Sequence, residues 1–537
     1  MYAQIFCHCA LFSYFCRKFY QFSRNMRKLI ISAVALAATL PAIAGGYLTN
    51  TNQSVAFLRN PARLATFGIE GAYSNPAGLA WLDEGWHLAF NWQNAAQERN
   101  ITSTFAPFAY NINQPGISVR KFKGEASAPF IPSFDAAYRK GDWTISAHFG
   151  ITGGGGKATF NSGLPMFEAP VACIPGMLTQ AGIASDAYSA DMYMSGRQFI
   201  YGLQLGLTYK LFDNIGNLKQ GLSVHLGARM NFASNHYEGY LRRISAAING
   251  QMTQLNPFFT LQATQYETQA LQAQQAAQTF RDLAATTTDP TLKAQYEAQA
   301  SQYAAGAEKA TAAALQFNGL ASRTADIELD CDQKGWGIAP IIGADYRIGA
   351  LNIGARYEFQ TNMNIENKTK VNTTGVASFA NGVNTPNDIP GILSIGAQYD
   401  ILPKWRVMVG WNCYFDKKAG MSDNKQKHLS HNTHEITAGM EYDLTDRLTV
   451  SAGYQNTDYG LSDKFQSDLS FHDDSYSLGL GLRMKISNRV SMDAGYFWTN
   501  YKDYTKRSDN YNGTGLSGTD TYSRKNKVFG LGVEVRI

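Results

Sequence analysis

The residues of this 537-residue chain most able to do chemistry are few and poorly placed for it. His428, His431 and His434 recur at three-residue spacing and form the densest group of metal-type donors. On a strand, successive side chains point to opposite faces, so His431 is expected to diverge from the other two, and no metal is expected. Gly153, Gly154, Gly155 and Gly156 form a run that would suit a phosphate only if it opened a helix after a strand. It does not, so its expected use is to bend or interrupt a strand where the backbone needs a permissive residue. The chain has no phosphate-loop, dinucleotide, His-Glu-x-x-His or Gly-x-Ser-x-Gly signature, and no Ser/His pair that would make a lipase. Neither an enzyme nor a cofactor is expected.

The pattern that carries information is alternation. Ile436, Ala438, Met440, Tyr442 and Leu444 share one face, opposite Glu435, Thr437, Gly439, Glu441 and Asp443. After the turn at Thr445-Asp446, Leu448, Val450, Ala452 and Tyr454 resume the apolar face. A period of two means strands. The unit recurs from residue 195 to the last residue, which points to a membrane barrel with lipid outside and a polar lumen.

Met26-Arg27-Lys28, the apolar run Leu29 to Leu40 and Ala42-Ile43-Ala44 read together as a secretory signal. Met26 is the expected start, with residues 1–25 as upstream sequence and 1–44 removed as leader and signal. Residues 1–44 hold Arg17, Lys18, Arg24, Arg27 and Lys28 and no acids, so the whole +5 charge lies there. The remainder carries 42 basic and 42 acidic residues, a balance that argues against nucleic acid. Cys173, Cys331 and Cys413 are too few and too widely spaced for a disulfide framework or a zinc site. A mean hydropathy of −0.26 does not contradict a barrel, because only alternate residues meet lipid.

Fourteen strands are expected, near 86–96, 129–140, 142–152, 195–211, 219–235, 334–348, 351–363, 390–402, 404–416, 431–445, 447–458, 474–486, 488–502 and 523–537. Turns such as Lys140-Gly141-Asp142, Ile348-Gly349-Ala350, Leu402-Pro403 and Ser487-Asn488 are short, and the alternate connections are long. Short periplasmic turns and long outer loops are the asymmetry of bacterial barrels. The fold class is all-β: a 14-stranded antiparallel transmembrane barrel over residues 86–537, read as a monomer. Residues 250–325 break the pattern. There, apolar and small residues recur at three- and four-residue steps on both sides of Asp289-Pro290, a good cap and first turn. A helical hairpin in an outer loop is expected.

Residues 45–85 do not alternate. Phe57, Leu58, Leu64, Phe67 and Ile69 make them too apolar for a free tail, so a plug or hatch inside the lumen is expected. Asn75-Pro76-Ala77-Gly78-Leu79-Ala80 ahead of a first strand resembles the hatch of the FadL family of outer-membrane channels. Phe149 to Phe160, with its glycine run, resembles that family's third-strand region. The C-terminal Ile537 departs from the Phe common in such barrels but keeps lipid-facing parity.

The resemblance implies passive uptake of a hydrophobic small molecule or fatty acid and contact with outer-membrane lipids. Plug movement at Asn75–Gly78 and a break at Gly153–Gly156 would open a side exit into the bilayer. The helical loop would offer a landing groove, with a solvated cap as the equal alternative. Phe57, Leu58 and Phe67 would meet the ligand's tail, and inward Arg229 and Arg356 its carboxylate. Pairing of each arginine with Glu358 or Asp345 is expected ahead of that role. The competing function is a general diffusion porin for small polar solutes.

Overall fold

The computed structural model describes residues 54–180, 182–217 and 219–537; the leader and signal, and the first hatch residues 45–53, lie outside them. Alternating strands can satisfy every backbone group within lipid only by closing on themselves. Fourteen do so: β1 (Gly85–Thr104), β2 (Val119–Lys140), β3 (Trp143–Phe160), β4 (Tyr188–Ile215), β5 (Gln220–Ile248), β6 (Ile327–Ile348) and β7 (Leu351–Glu358). The second half is β8 (Ile392–Leu402), β9 (Trp405–Tyr414), β10 (Thr433–Asp443), β11 (Leu448–Asp458), β12 (Ser475–Lys485), β13 (Val490–Tyr501) and β14 (Gly518–Arg536). Each pairs antiparallel with its neighbour in the chain. β14 returns to β1 in an unbroken register from His87↔Arg536 to Thr104↔Thr519.

The faces fall as alternation requires. Ile353, Ile436, Met440, Leu480, Leu482, Phe529 and Leu531 are exposed on the outer wall, whereas Arg356, Glu358, Thr437, Glu441 and Ser477 are buried inside. Ile537 stays outward, and its backbone exchanges hydrogen bonds with Trp86 at 2.9 and 3.0 Å.

Several strands run past the membrane. β4 and β5 have 28 and 29 residues, where about 9–11 suffice to cross the hydrocarbon layer. Short strands at Gln251–Gln254, Asn364–Asn372, Asn384–Pro386 and Tyr504–Ser508 join this extension. Expected only as long loops, the outer connections instead pack into a cap. Its apolar core includes Phe105, Phe108, Phe122, Phe160, Leu329, Phe379, Phe471, Tyr511 and Tyr522.

The helical insert is a hairpin of two long helices, Leu255–Thr286 and Pro290–Arg323. Asp289 caps the second, accepting from Thr291 N at 2.8 Å and Leu292 N at 3.3 Å. Ala263, Ala270, Ala277 and Ala284 are buried at seven-residue spacing against Ala300, Ala307 and Ala314, so the two backbones lie close. Phe280 stacks on Tyr303 at 5.5 Å farther out. At the hairpin's base, Leu255, Phe259, Phe317 and Leu320 join the cap core.

Residues 54–82 lie in the lumen. Three short helices form there: α1 (Val55–Arg59), α2 (Gly71–Ser74) and a 3-10 turn at Pro76–Trp81. The wall receives them on a belt of glycines. Gly354 pairs with Gly396, which pairs with Gly410. Gly439 pairs with Gly453, which pairs with Gly479. Gly481 pairs with Gly495, which pairs with Gly530. A Cβ at Gly396 would lie 2.6 Å from Leu64, one at Gly453 2.5 Å from Pro61, and one at Gly479 2.5 Å from the Leu58 carbonyl. One at Gly530 would lie 2.7 Å from the Leu58 side chain. The inward glycines therefore do not leave open lumen; they let the hatch backbone lie flush against the wall.

Candidate functional site

The hatch is fastened to the wall on both sides. Arg63 donates to Glu441 at 2.7 Å and also pairs with Glu70. Arg59 reaches Asp493 at 2.9 Å and Glu441 at 3.4 Å. On the other flank, wall side chains bond to hatch carbonyls: Gln204 to Ala72 at 2.7 Å, Thr208 to Pro76 at 2.8 Å, Ser223 to Ala77 at 2.7 Å and Asn352 to Ala65 at 2.8 Å.

The Asn75–Gly78 motif belongs to this anchoring. Asn75 donates to Asp345 at 2.7 Å, and Trp81 and Asn352 donate to the same carboxylate at 2.6 and 2.9 Å. Asn75, Ala77 and Gly78 are buried against the wall and line neither of the cavities described below. The polar side chains of the inner wall, which sequence parity placed in the lumen, thus have the hatch backbone as their partner.

Against the hatch lies a small central chamber of about 40 Å³. Its lining mixes charged and polar groups, Arg229, Arg356, Glu358, Glu435, Tyr73 and Tyr414, with the apolar Phe57, Leu64, Ile389 and Ile392. Arg229 donates to Glu358 at 2.6 Å and to Gln204 at 2.6 and 3.1 Å. Arg356 bonds the Tyr73 carbonyl and the Ser394 hydroxyl. The Tyr73 ring lies 4.6 Å from the Arg229 guanidinium and 5.5 Å from that of Arg356. The pairing expected of Arg229 is present, while Asp345 serves uncharged donors instead of an arginine.

A second cavity, of about 80 Å³, lies nearer the outer mouth. It is lined by Ala126, Ala158, Phe160, Met194, Tyr237 and Leu469, with Gln97, Gly156, Gly196 and Gln198. Arg99 is the one charged side chain in that lining.

Gly156 also marks a gap in the wall. β2 and β3 pair from Gly124↔Phe160 to Ser127↔Lys157 and again from Phe134↔Phe149, but not between. The unpaired stretch faces residues 128–133 toward residues 150–156. Pro129 and Pro132 cannot donate to a ladder there. On its other side β3 is bulged against β4 at Ile151/Gly153 and Gly154/Gly156. Gly154 has φ +87° and its Cβ would collide with the Gln198 carbonyl, so only glycine fits. The third strand itself is not interrupted, because it continues to Phe160; the break is in its pairing with β2. Phe130 is exposed on the outer side of this window, and Phe57 packs with Ala128 and Ile131 behind it.

Among the expected ligand contacts, Phe57 lines the central chamber. Leu58 is fully buried on the glycine belt. Phe67 is turned to the periplasmic end, beside Arg347 at 5.6 Å, and lines neither cavity. The apolar outer cavity was not foreseen, since its residues come from five strands and a loop. The expectation that His431 and His434 diverge is overturned: their rings stack at 6.0 Å. The reason is that β10 begins only at Thr433, so His431 lies in the preceding bend. Among the described residues no group of three donors could hold a metal. Cys173, Cys331 and Cys413 are free and buried.

A family model described as Gram-negative porin matches residues 134–462, more than half of the chain. The chain belongs to the Gram-negative porin family. This porin also shares its fold with solved structures. It is 13% identical to a Pseudomonas aeruginosa FadL homologue, covering 92% of this chain and 100% of that one with a TM-score of 0.54. It is 11% identical to a TodX deletion mutant described as a monoaromatic hydrocarbon channel, covering 90% and 99%, with a TM-score of 0.51. No curated protein sequence matches it. The expected FadL-type barrel is therefore present, and the porin is a multi-pass protein of the bacterial outer membrane.

Proposed function

We propose that this porin is a passive channel through which hydrophobic compounds enter from the outer side and leave sideways into the bilayer. The observation that carries this reading is the apolar cavity beside Gly156, at the edge of the window where β2 and β3 do not pair. An apolar solute held there can reach lipid without entering the polar chamber below, where it would displace water from charged groups. Both solved relatives have names that mention hydrophobic transport or the FadL family, which supports the class.

The finer mechanism rests on α1. Phe57 packs with Ala128 and Ile131 behind the window, so a small displacement of α1 would widen the path from the outer cavity to the gap. Movement of either segment has to break bonds to the wall, those of Arg59 to Asp493 and Glu441 at α1 and those to Asp345, Thr208 and Ser223 at Asn75–Gly78. Within the substrate class, a fatty acid would set its chain against Phe160, Met194 and Leu469 and its carboxylate toward Arg99.

Proteoliposomes loaded with an acceptor and presented with oleate or toluene test the reading, alongside swelling in sucrose. Uptake of either apolar probe above protein-free vesicles with little sucrose entry is the expected result. Rapid sucrose swelling with no gain for either probe would instead support a diffusion porin for polar solutes.

A further inference from the structure

The outer wall around the window carries a row of cations just above the lipid belt. The register runs Lys527↔Ala96, Ala96↔Ser127, Ser127↔Lys157 and Lys157↔Arg197 across β14, β1, β2, β3 and β4. Lys527, Lys157 and Arg197 are exposed. Phe529 and Phe199 lie two residues closer to the periplasm on the same strands, and Trp498 pairs with Lys527. The row therefore sits at the upper edge of the aromatic girdle, where lipid head groups begin.

Lys157 and Arg197 stand directly opposite each other, an arrangement that repels unless an anion lies between. The acids nearby are largely spoken for one row higher: Lys525 stands opposite Glu98, and Lys123 holds Glu125 at 2.7 Å. Among the described residues only Glu238 reaches the row, 3.4 Å from Lys157. Across the barrel, by contrast, β11 presents Asn456 and an exposed Asp458 at its outer end. Lys334 and Lys368, exposed elsewhere on the outer wall, stand opposite Glu366 and Asp332, whereas Lys157 and Arg197 stand opposite each other.

We propose that this row is a docking site for a phosphorylated glycolipid of the outer leaflet, its phosphates on Lys527 at one side and on Lys157 and Arg197 at the other. Three inter-strand steps separate the two positions, about 14 Å. That suits a disaccharide head with a phosphate at each end, and arginine adds a two-pronged phosphate contact. The acyl chains of this lipid then hang across residues 128–133 and 150–156, so it covers the side window. This inference concerns lipid outside the wall and stands independently of what passes inside.

The test titrates the full chain, purified in detergent, with bisphosphorylated lipid A, with its dephosphorylated form and with phosphatidylglycerol. The bisphosphorylated lipid is expected to bind at least about tenfold more tightly than either of the others. Lys157→Gln, Arg197→Gln and Lys527→Gln together are expected to remove that preference, with Lys334→Gln and Lys368→Gln leaving it unchanged. Heat-modifiable migration verifies that each variant is folded, and Lys527→Gln alone, with a partial loss, serves if the triple change is not. Equal binding of the phosphorylated and dephosphorylated lipids, or a full preference in the folded triple variant, overturns the proposal. Phosphatidylglycerol binding as tightly as lipid A also overturns it, because it would reduce the row to unspecific charge.

Discussion

Arg229 of the wall donates to Glu358 at 2.6 Å, and the hatch residue Tyr73 covers the guanidinium with its ring. Both charged groups are almost fully buried, so removing one strands the other in a poor solvent. Glu358→Gln is expected to lower stability by about 3–5 kcal/mol, read as a reduced unfolding temperature in detergent. Substrate affinity should change far less, because this arginine is already occupied.

The glycine belt makes a second expectation. Gly479→Val would drive a side chain into the Leu58 carbonyl, which is 2.5 Å from the position of a Cβ. Overpacking of this kind costs about 1–3 kcal/mol, and here α1 can yield while the wall cannot. The variant should keep its folded, heat-modifiable barrel but show raised single-channel conductance and trypsin cleavage at Arg59 or Arg63.

The window can be stapled. A Cβ at Gly156 would lie 3.4 Å from that of Ala128, close to the spacing a disulfide needs. Ala128→Cys with Gly156→Cys should reduce uptake of an apolar probe several-fold when oxidised and recover it with reductant. Gly156→Cys alone, strained by its φ of +90°, controls for the backbone cost. Unchanged flux through the oxidised double variant would remove the side exit from the mechanism.

The outer cap should respond to pH in two separate windows. Burial, with repulsion from Lys506 and Arg99, pushes the Lys425 ammonium down from 10.5 to about 7. Between those values the unfolded chain binds the extra proton, so stability rises with pH there and is flat below. Burial raises the Asp473 carboxyl from 3.8 to about 6. Across that range the folded state binds the extra proton, so stability falls as pH rises. In the loop 459–474, Asp468 is raised to about 7 and His472 is lowered well below 6.5. The Lys425 contribution is therefore read as the difference in amide exchange of this loop between the native chain and Lys425→Met, growing as pH falls from 10.5 to about 7. Lys425→Met should abolish the upper limb.

Much of the fold was legible because alternation is local. Ile436 against Thr437, or Leu480 against Gly481, reveals which side meets lipid without knowledge of any partner, and the two-residue turns count the hairpins. Other features depend on residues far apart. Gly439, Gly453 and Gly479 each look like an empty space in the lumen, and only Asn60, Pro61 and Leu58, several hundred residues earlier, explain them. Pro129 and Pro132 were in view, yet the window also requires β3 to bulge at the same height. The cap was hidden because its aromatic residues come singly from separate connections. Asp289-Pro290, a contiguous signal, marked the helical hairpin correctly.

The glycine belt that seats the hatch is shared among β7 to β14, and the wall side chains that bond its carbonyls lie on β4, β5 and β7, although the hatch itself precedes β1 in the chain. Its berth is thus complete only once the last strand has arrived and the cylinder has shut. Until then Arg59 lacks Asp493 and Glu441 of the wall, while Arg63 keeps only Glu70 of the hatch itself. Complete docking of the plug therefore requires ring closure at β14, whose Gly530 receives Leu58.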